Sequence, residues 1–404
     1  MIFAPIIART FSPEAYGEFA IFNVLFTNLA LIATLSYPSS LPSIRDGSSY
    51  FSLSLFILIL LAFFSGLFSI VYYGFFGILQ STAGGILQPY WGWLIPCTVI
   101  FQCLVQLVSI WNLRTSHMRL NFLGSSAGQL GSRGLVIGWG ISISNSGLGL
   151  ILGEISKNLI NLGGILRKPI LYRIRQKLSQ LNGYSLKRSF AIGRKLKNYP
   201  KLVFPGLWVN QFSNQLPLYF ITIQFSDTAL GAYALAGSMV AIPHKLIGLA
   251  ISPVFHNKSQ EILDQSGTQH MHTFTKKVML GLLFVGVIPF ALLYGFGADI
   301  FSFVFGADWE LAGKIASVLS FQYWVAFAAS PVATVFYSLH RQQALLKFQV
   351  FLFSLRVVAL GIAWFLRTDM LQSLLIYSVI NAIGYGILLL LTNYILKDGQ
   401  RKAS

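Results

Sequence analysis

The sequence predicts an all-α polytopic membrane protein, and three observations support this fold class. Of the 404 residues, 55% are hydrophobic and only 10% are charged, whereas soluble domains carry roughly 25% charged residues. The apolar runs are unbroken over about twenty residues, the length of a membrane-spanning helix, and lack the alternating polarity of membrane β-strands. The third observation is an internal repeat.

The repeat consists of two ten-residue stretches that lie about half the chain apart. FSPEAYGEFA begins at Phe11 and FSDTALGAYA begins at Phe225. Both stretches begin with Phe-Ser and have Ala at the fifth position, Gly at the seventh, an aromatic residue at the ninth and Ala at the tenth. Each stretch is a polar turn before an apolar helical run. A duplication defines the architecture, and in membrane proteins it usually places the working site between the copies.

Apolar runs between polar turns predict eleven spans and a short fragment at residues 1–8. The spans cover residues 17–37, 51–79, 91–112, 120–143, 147–166, 202–224, 230–254, 277–297, 311–337, 348–366 and 371–396. A whole span precedes the second repeat turn, but only ten residues precede the first. We therefore expect the first helix to be truncated by about a dozen residues, in a design of about twelve transmembrane helices.

These spans predict two six-helix lobes. The N-terminal lobe covers residues 1–166 and the C-terminal lobe covers residues 202–396, with a cytoplasmic tail at 397–404. A basic cytoplasmic linker covers residues 167–201.

The linker contains an amphipathic pattern in which apolar residues recur at helical spacing among cationic ones. The apolar positions are Ile170, Ile174, Leu178 and Leu181. The pattern favours a helix that lies on the inner leaflet and binds anionic membrane lipids. A plain linker that obeys the positive-inside rule is an equal alternative.

Loop charges predict the orientation. With the FSPEAYG turn outside, nearly all loop cations lie inside, and only Arg9 and Arg367 lie outside, as the positive-inside rule requires. Both repeat turns then face outward, so the lobes are related by a pseudo-two-fold axis along the membrane normal. The net charge of +17 is assigned to the membrane and not to nucleic acid, because no polar segment is long enough to fold as a basic domain.

Enzymatic and metal-binding functions lack a sequence signature. Cys97 and Cys103 lie in one apolar run, which argues against a disulfide framework or a metal site. No paired carboxylates, nucleotide-binding loop or HExxH-like cluster is present. We therefore expect a transporter that is not an enzyme and has no cofactor.

The segment KNYPKLVFPGLWVNQFSNQLPLYFITIQFSDTALGAYALAGSMVAIPHKLIGLAISPVF resembles a known family. The shared features are its Tyr-Pro opening, the Asn and Ser of the seventh helix, the Gly-x-Tyr turn, Ile-Pro and the Pro-x-Phe exit. RTFSPEAYGEFA resembles the family's first outer turn, and LGLILGEISKNLINL its sixth helix. The family is that of the oligosaccharide (O-antigen or polysaccharide repeat-unit) flippases, within the multidrug/oligosaccharidyl-lipid/polysaccharide exporter superfamily. The truncated first helix departs from its pattern.

The resemblance implies two lobes around a central cavity that opens alternately to each side. The implied cargo is an undecaprenyl-pyrophosphate-linked oligosaccharide, moved from the cytoplasmic to the periplasmic leaflet of the bacterial inner membrane for O-antigen, capsule or exopolysaccharide synthesis. It also implies proton or sodium coupling, a monomer, and a polysaccharide polymerase and chain-length regulator as partners.

Six charged residues fall within or near predicted spans, where charge is costly and therefore usually functional. They are Arg133, Glu154, Lys157, Lys245, Lys314 and Arg356. Five are cationic, which suits a cavity that binds an anionic diphosphate.

Three of these charges lie on one predicted hairpin, whose turn is near Asn145. Arg133 is twelve residues before this turn and Lys157 twelve after, so we expect similar depths, with Glu154 one turn nearer the outside. In one hypothesis the two bases hold the cargo phosphate while Glu154 couples to an ion. In the other, the group is a structural ion pair.

The remaining candidates lie on other helices. Arg356 is near the middle of its span and favours a cavity position, whereas Lys245 fits a cavity or the membrane interface equally. Lys314 favours an interfacial ion pair. Asn210, Gln211, Asn214 and Gln215 suit sugar hydroxyls, but hydrogen bonds between helices are the slightly preferred alternative.

A multidrug exporter of organic cations in the same superfamily is the main alternative function. Such a protein needs acidic residues in its cavity, and Glu154 is the only acid among the six charges. A membrane polymerase or glycosyltransferase is disfavoured because the outer turns are short.

Overall fold

The computed structural model describes residues 3–44, 46–82, 85–166, 183–331, 333–339 and 341–403. Within these ranges all regular secondary structure is helical. Each of the eleven predicted spans is helical over most of its length. The predicted all-α polytopic class is confirmed.

Packing divides the chain into two compact units, Met1–Phe212 and Ser213–Ser404. The helices that lie wholly in the first unit are α1 (Ala4–Thr10), α2 (Pro13–Thr34), α3 (Gly47–Gly74), α4 (Phe76–Thr82), α5 (Trp91–Arg114), α6 (Met118–Ser142), α7 (Gly147–Ile165) and α8 (Gly183–Lys195). A 3-10 helix, Tyr37–Ser43, lies between α2 and α3. Helix α7 packs against α2, α5 and α6.

Helix α9 (Phe204–Gln224) begins in the first unit and ends in the second. The second unit continues with α10 (Asp227–Phe305), α11 (Glu310–Ala329), α12 (Ala333–Ser338), α13 (Gln342–Phe365) and α14 (Met370–Ala403). Helix α11 packs against α10 and α14.

Helix α10 contains two predicted spans, 230–254 and 277–297. The sequence placed a loop between them, but two helical segments meet there directly at a kink at Gly267, with φ at 75°. A glycine adopts this left-handed conformation without a steric penalty. The intervening residues include good helix formers and no proline after Pro253, so a single glycine provides the break.

The two repeat turns form the same local structure. Ser12 caps α2 by accepting a hydrogen bond from the Ala15 amide at 3.4 Å, and Ser226 caps α10 by accepting one from the Ala229 amide at 3.2 Å. A serine at this position satisfies an amide that has no partner within the helix. The repeat is therefore a repeated helix start, once in each unit.

Seven of the described helices are long and apolar enough to cross a membrane. They are Pro13–Thr34, Gly47–Gly74, Trp91–Arg114, Gly267–Phe305, Ala307–Ala329, Gln343–Phe365 and Met370–Lys397. Large apolar side chains are exposed along them, such as Phe284 at 79%, Phe303 at 83% and Phe365 at 85%. Apolar surface of this kind marks contact with lipid, and the chain is a multi-pass integral membrane protein.

Part of the predicted linker 167–201 is the helix α8, which packs against α3. The Tyr37 hydroxyl donates a hydrogen bond to the Gly193 carbonyl at 3.0 Å, and the rings of Phe190 and Phe56 lie 5.4 Å apart edge to face. The predicted amphipathic helix lies outside the described residues. Its apolar positions were Ile170, Ile174, Leu178 and Leu181.

Candidate functional site

The hairpin of α6 and α7 is held together by small residues. Gly124, Gly128 and the buried Ser132 are spaced four apart along α6. A Cβ on Gly128 would lie 2.7 Å from the Lys157 carbonyl oxygen, and a Cβ on Gly153 would collide with Val136. Small residues at this spacing let helix backbones approach closely in membranes.

This packing determines the depth of the predicted charges. Gly128 lies opposite Lys157, and Val136 lies opposite Gly153. Arg133 lies between Gly128 and Val136 on α6, so it lies at about the depth of Glu154 on α7. The hairpin spacing had predicted Arg133 level with Lys157, and the difference is less than one helical turn. Arg133 directly follows Ser132, and Glu154 directly follows Gly153; Ser132 and Gly153 both lie in the contact between α6 and α7. Because the two helices are antiparallel, the residue after a contact residue points to the same side of the hairpin on each helix.

Glu154 and Lys157 form an ion pair on one face of α7, with side chains 20% and 27% exposed. Arg133 is exposed and forms no ion pair with any described residue. The hairpin therefore carries one satisfied acid and one guanidinium whose charge is not neutralised by a salt bridge. Their roles in cargo binding and ion coupling stay predictions.

Arg356 lies in the interior of the second unit and is 3% exposed. Its Nε donates a hydrogen bond to Asn381 Oδ1 at 3.1 Å. One terminal nitrogen donates to Ser213 Oγ at 2.7 Å and to Asn214 Oδ1 at 2.9 Å, and the other donates to the Tyr385 hydroxyl at 3.3 Å. A guanidinium has five N–H donors, so one remains for a further partner.

All the hydrogen-bond partners of Arg356 are neutral, and no described carboxylate pairs with it. The network continues from Asn381 to a further helix, α11, because the Asn381 amide donates a hydrogen bond to Gln322 Oε1 at 2.6 Å. Neutral dipoles can solvate a buried cation but cannot cancel its charge. The second unit therefore holds a fixed positive charge in its interior.

The other predicted residues are not part of these two clusters. Lys245 is exposed on α10, and Lys314 pairs with Glu310 at 2.7 Å, as the sequence indicated. Asn210 is exposed on α9. Asn214 contacts Arg356 of α13, so it makes a hydrogen bond between helices. Whether either asparagine contacts sugar stays a prediction.

The first unit also contains a pocket of about 210 Å³. Its lining residues come from α2, the turn and 3-10 helix after it, α5 and the first half of α9. Polar side chains in the lining include Gln102, Gln106 and Gln211. None of the described lining residues is charged.

Comparison with known proteins finds several similar solved structures. A multidrug resistance MATE family transporter of the MOP superfamily, inward-facing, has a TM-score of 0.76 at 12% identity, with 100% of this chain and 95% of that chain covered. The lipid II flippase MurJ, inward closed, has a TM-score of 0.68 at 14% identity, with 96% and 84% covered. The chain has the fold of the MOP-superfamily transporters.

A third similar structure is the MATE transporter ClbM in complex with Rb⁺, with a TM-score of 0.50 at 14% identity and 99% and 90% of the two chains covered. No protein-family model and no curated protein matches the sequence. The resemblance seen in the sequence is confirmed at the level of the fold. No group of His, Cys, Asp and Glu residues in the described part of the chain could hold a metal ion.

Sequence reasoning missed two features of this MOP fold. The small residues at Gly124, Gly128 and Ser132 form a G-x-x-x-G-x-x-x-S pattern, which is a recognisable signal of close helix packing. The pocket glutamines Gln102 and Gln106 are one turn apart inside an apolar run. That spacing places both amides on one face of α5 and is a weaker signal.

Proposed function

We propose that the chain is a flippase for oligosaccharide repeat units linked to undecaprenyl pyrophosphate. It moves them by alternating access from the cytoplasmic to the periplasmic leaflet of a bacterial inner membrane, for the synthesis of a surface polysaccharide. The diphosphate is attracted by the cations Arg133, Lys157, Lys245 and Arg356. Asn210 and Asn214 contact sugar hydroxyls.

The observation that carries this proposal is the charge balance inside the spans. Arg133 and Arg356 have no acidic partner among the described residues, whereas Glu154, the only predicted intramembrane acid, is paired with Lys157. Positive charge without a counter-ion favours an anionic cargo. The MurJ neighbour supports a lipid-linked cargo, since it is a lipid II flippase with the same fold.

Export of organic cations is the second candidate function. It is favoured by the MATE neighbours, one of which has a TM-score of 0.76. A cation exporter needs an acid that is free to bind its cargo. In this chain Glu154 would first have to leave Lys157, so the flippase is the better-supported function.

We also propose that a proton or sodium gradient drives transport, with Glu154 as the coupling group. Release of Lys157 on protonation of Glu154 would free a cation for the diphosphate. A monomer working beside a polysaccharide polymerase and a chain-length regulator fits this cycle. The ClbM complex with Rb⁺ supports cation binding by a protein of this fold.

Gene deletion and complementation test the proposal. Deletion should abolish the surface polysaccharide and cause lipid-linked repeat units to accumulate inside. In complementation, Arg133→Ala should lower polymer output roughly ten- to hundredfold, the loss expected for one charge-assisted hydrogen bond. Arg133→Lys should retain part of the activity, because it keeps the charge without the guanidinium fork.

The matched control is Arg119→Ala, which removes an exposed arginine from the first turn of the same helix. It should restore normal polymer at an equal amount of membrane-inserted protein. Full complementation by Arg133→Ala would contradict the proposal that cations of the protein bind an anionic cargo. A deletion strain that keeps its polymer but becomes sensitive to organic cations would favour the second candidate.

A further inference from the structure

We propose that the pocket in the first unit is a neutral carbohydrate subsite that holds one sugar ring of the cargo. This inference rests on the proposed flippase function and adds the residues that recognise the sugar. Of the residues that the sequence suggested for sugar contact, Gln211 lines this pocket, whereas Asn210 and Asn214 do not.

The pocket is lined by hydrogen-bonding groups from several segments. Gln102 and Gln106 contribute amides from one face of α5, and Gln211 contributes one from α9. Thr34, at the end of α2, donates its hydroxyl hydrogen to the Ala30 carbonyl at 2.8 Å. Its oxygen therefore keeps lone pairs that can accept from a ligand.

Two buried polar atoms of the lining have no hydrogen-bond partner, Ser36 Oγ and Gln211 Nε2. Gln102 and Gln106 also line the pocket, but they are exposed, so their amides are open to solvent as well as to a ligand. Buried polar groups are nearly always satisfied in native proteins. A polar ligand that reaches Ser36 Oγ and Gln211 Nε2 would supply the partners that these two atoms lack.

The backbone conformation beside the pocket also supports a binding site. Leu35 and Ser36 follow α2 with φ values of 45° and 60°, a left-handed conformation that residues other than glycine rarely adopt. Such strain persists where the surrounding structure requires it, and it collects at functional sites. Here it carries Ser36 into the pocket wall, where its side chain is 3% exposed.

The charge and size of the pocket select the ligand class. Without a charged lining residue, the site offers no counter-ion to a phosphate or an organic cation. Side chains that both donate and accept match the hydroxyls of a sugar. A volume of about 210 Å³ gives room for one sugar ring.

Binding of free monosaccharides tests the subsite. The purified full chain in detergent is mixed with neutral hexoses or N-acetylhexosamines, and binding is measured by saturation-transfer NMR. At least one sugar should bind the unaltered protein. Gln102→Leu and Gln211→Leu should each weaken that binding roughly tenfold, since each removes an amide that hydrogen-bonds the ligand.

Gln129→Leu is the matched control, because Gln129 is an exposed glutamine of α6 outside the pocket. It should bind sugar like the unaltered chain, and melting temperatures should show that all variants are folded. Cys103, which lines the pocket, gives a second measurement. In a Cys97→Ser background, bound sugar should slow its alkylation several-fold.

The subsite is overturned if no sugar in the panel gives saturation transfer, or if the two pocket variants bind as well as Gln129→Leu. It is also overturned if alkylation of Cys103 is slowed by an organic cation and not by sugar. None of these results depends on polymer output in cells. A deletion strain that accumulates lipid-linked units would uphold the flippase even if the subsite failed.

Discussion

Among single residues, Arg356 shows how a charge can be kept inside a membrane protein without a counter-ion. It donates four side-chain hydrogen bonds, to Ser213 and Asn214 on α9 and to Asn381 and Tyr385 on α14. These bonds join three helices of the second unit. Arg356 is therefore a structural centre of that unit as well as a candidate for attracting anionic cargo.

Arg356→Ala should destabilise the second unit by about 3 kcal/mol, because it leaves several buried acceptors without a donor. Arg356→Lys should recover part of this loss, since an ammonium replaces the charge but not the fork geometry. Thermal unfolding in detergent measures both. Equal stability of Arg356→Ala and the unaltered chain would show that the network does not stabilise the fold.

Asp46 is a second residue whose local contacts lead to a prediction. Its carboxylate caps α3, accepting hydrogen bonds from the amides of Ser49 at 2.7 Å and Ser48 at 3.2 Å, and Arg188 of α8 lies 3.7 Å away. The pKa of Asp46 is lowered, chiefly by the hydrogen bonds from Ser49 and then from Ser48, with a smaller effect of Arg188.

A lowered folded-state pKa means that Asp46 stabilises the fold above the unfolded value of about 3.9, and that this is lost as pH falls through the folded value. The difference in melting temperature between the unaltered chain and Asp46→Ala should be constant near neutral pH and should shrink below about pH 4. Asp46→Asn should resemble the unaltered chain more closely, because asparagine also caps helices. A pH-independent difference would contradict this assignment.

Among elements, the pairing of α6 with α7 depends on glycine in a way that a hydrophobic pattern does not reveal. A Cβ on Gly164 would lie 2.9 Å from Gly124 Cα, and a Cβ on Gly128 would lie 2.7 Å from the Lys157 carbonyl. The backbones themselves are in contact. This contact fixes Arg133 and Glu154 at a common depth.

Gly128→Leu should separate the two helices and destabilise the first unit by about 2 kcal/mol, a typical cost of overpacking. Gly134→Leu is the control on the same helix, because a Cβ there meets nothing within 4 Å. It should leave the melting temperature unchanged or raise it, since leucine is the better helix former. If both variants lost stability equally, the close packing at Gly128 would not be the cause.

In the whole molecule, the repeat describes how a helix of each copy begins, and the loop charges predict which side of the membrane that beginning faces. The capping serines Ser12 and Ser226 show that the second helix of each copy begins in the same way. The excess of Lys and Arg in alternate loops predicts which side of the membrane those starts face. Orientation stays a prediction that labelling can test.

In a background of Cys97→Ser and Cys103→Ser, Asp308→Cys should react with an impermeant maleimide in intact cells. Lys347→Cys should react only after the cells are permeabilised. The physical reason is the retention of Lys and Arg in short loops on the cytoplasmic side. The reverse pattern would invert the predicted topology, and labelling of both positions in intact cells would indicate mixed insertion.

The sequence by itself determined the features that depend on short spacings. Apolar runs of span length predicted the helices, Phe-Ser turns predicted the repeated starts, and Glu154 and Lys157 can pair because they are three residues apart on one helix. These interactions are local, so their geometry follows from helical periodicity.

Only the tertiary structure decided which distant groups meet. Ser213 lies 143 residues from Arg356, and the pocket joins Ser36, Gln106 and Gln211. No periodicity encodes such encounters, because they depend on how helices pack and on where backbones approach. A cation that the sequence suggested for a cavity is thus held by neutral side chains, and the pocket proposed for sugar is lined by described residues without charge.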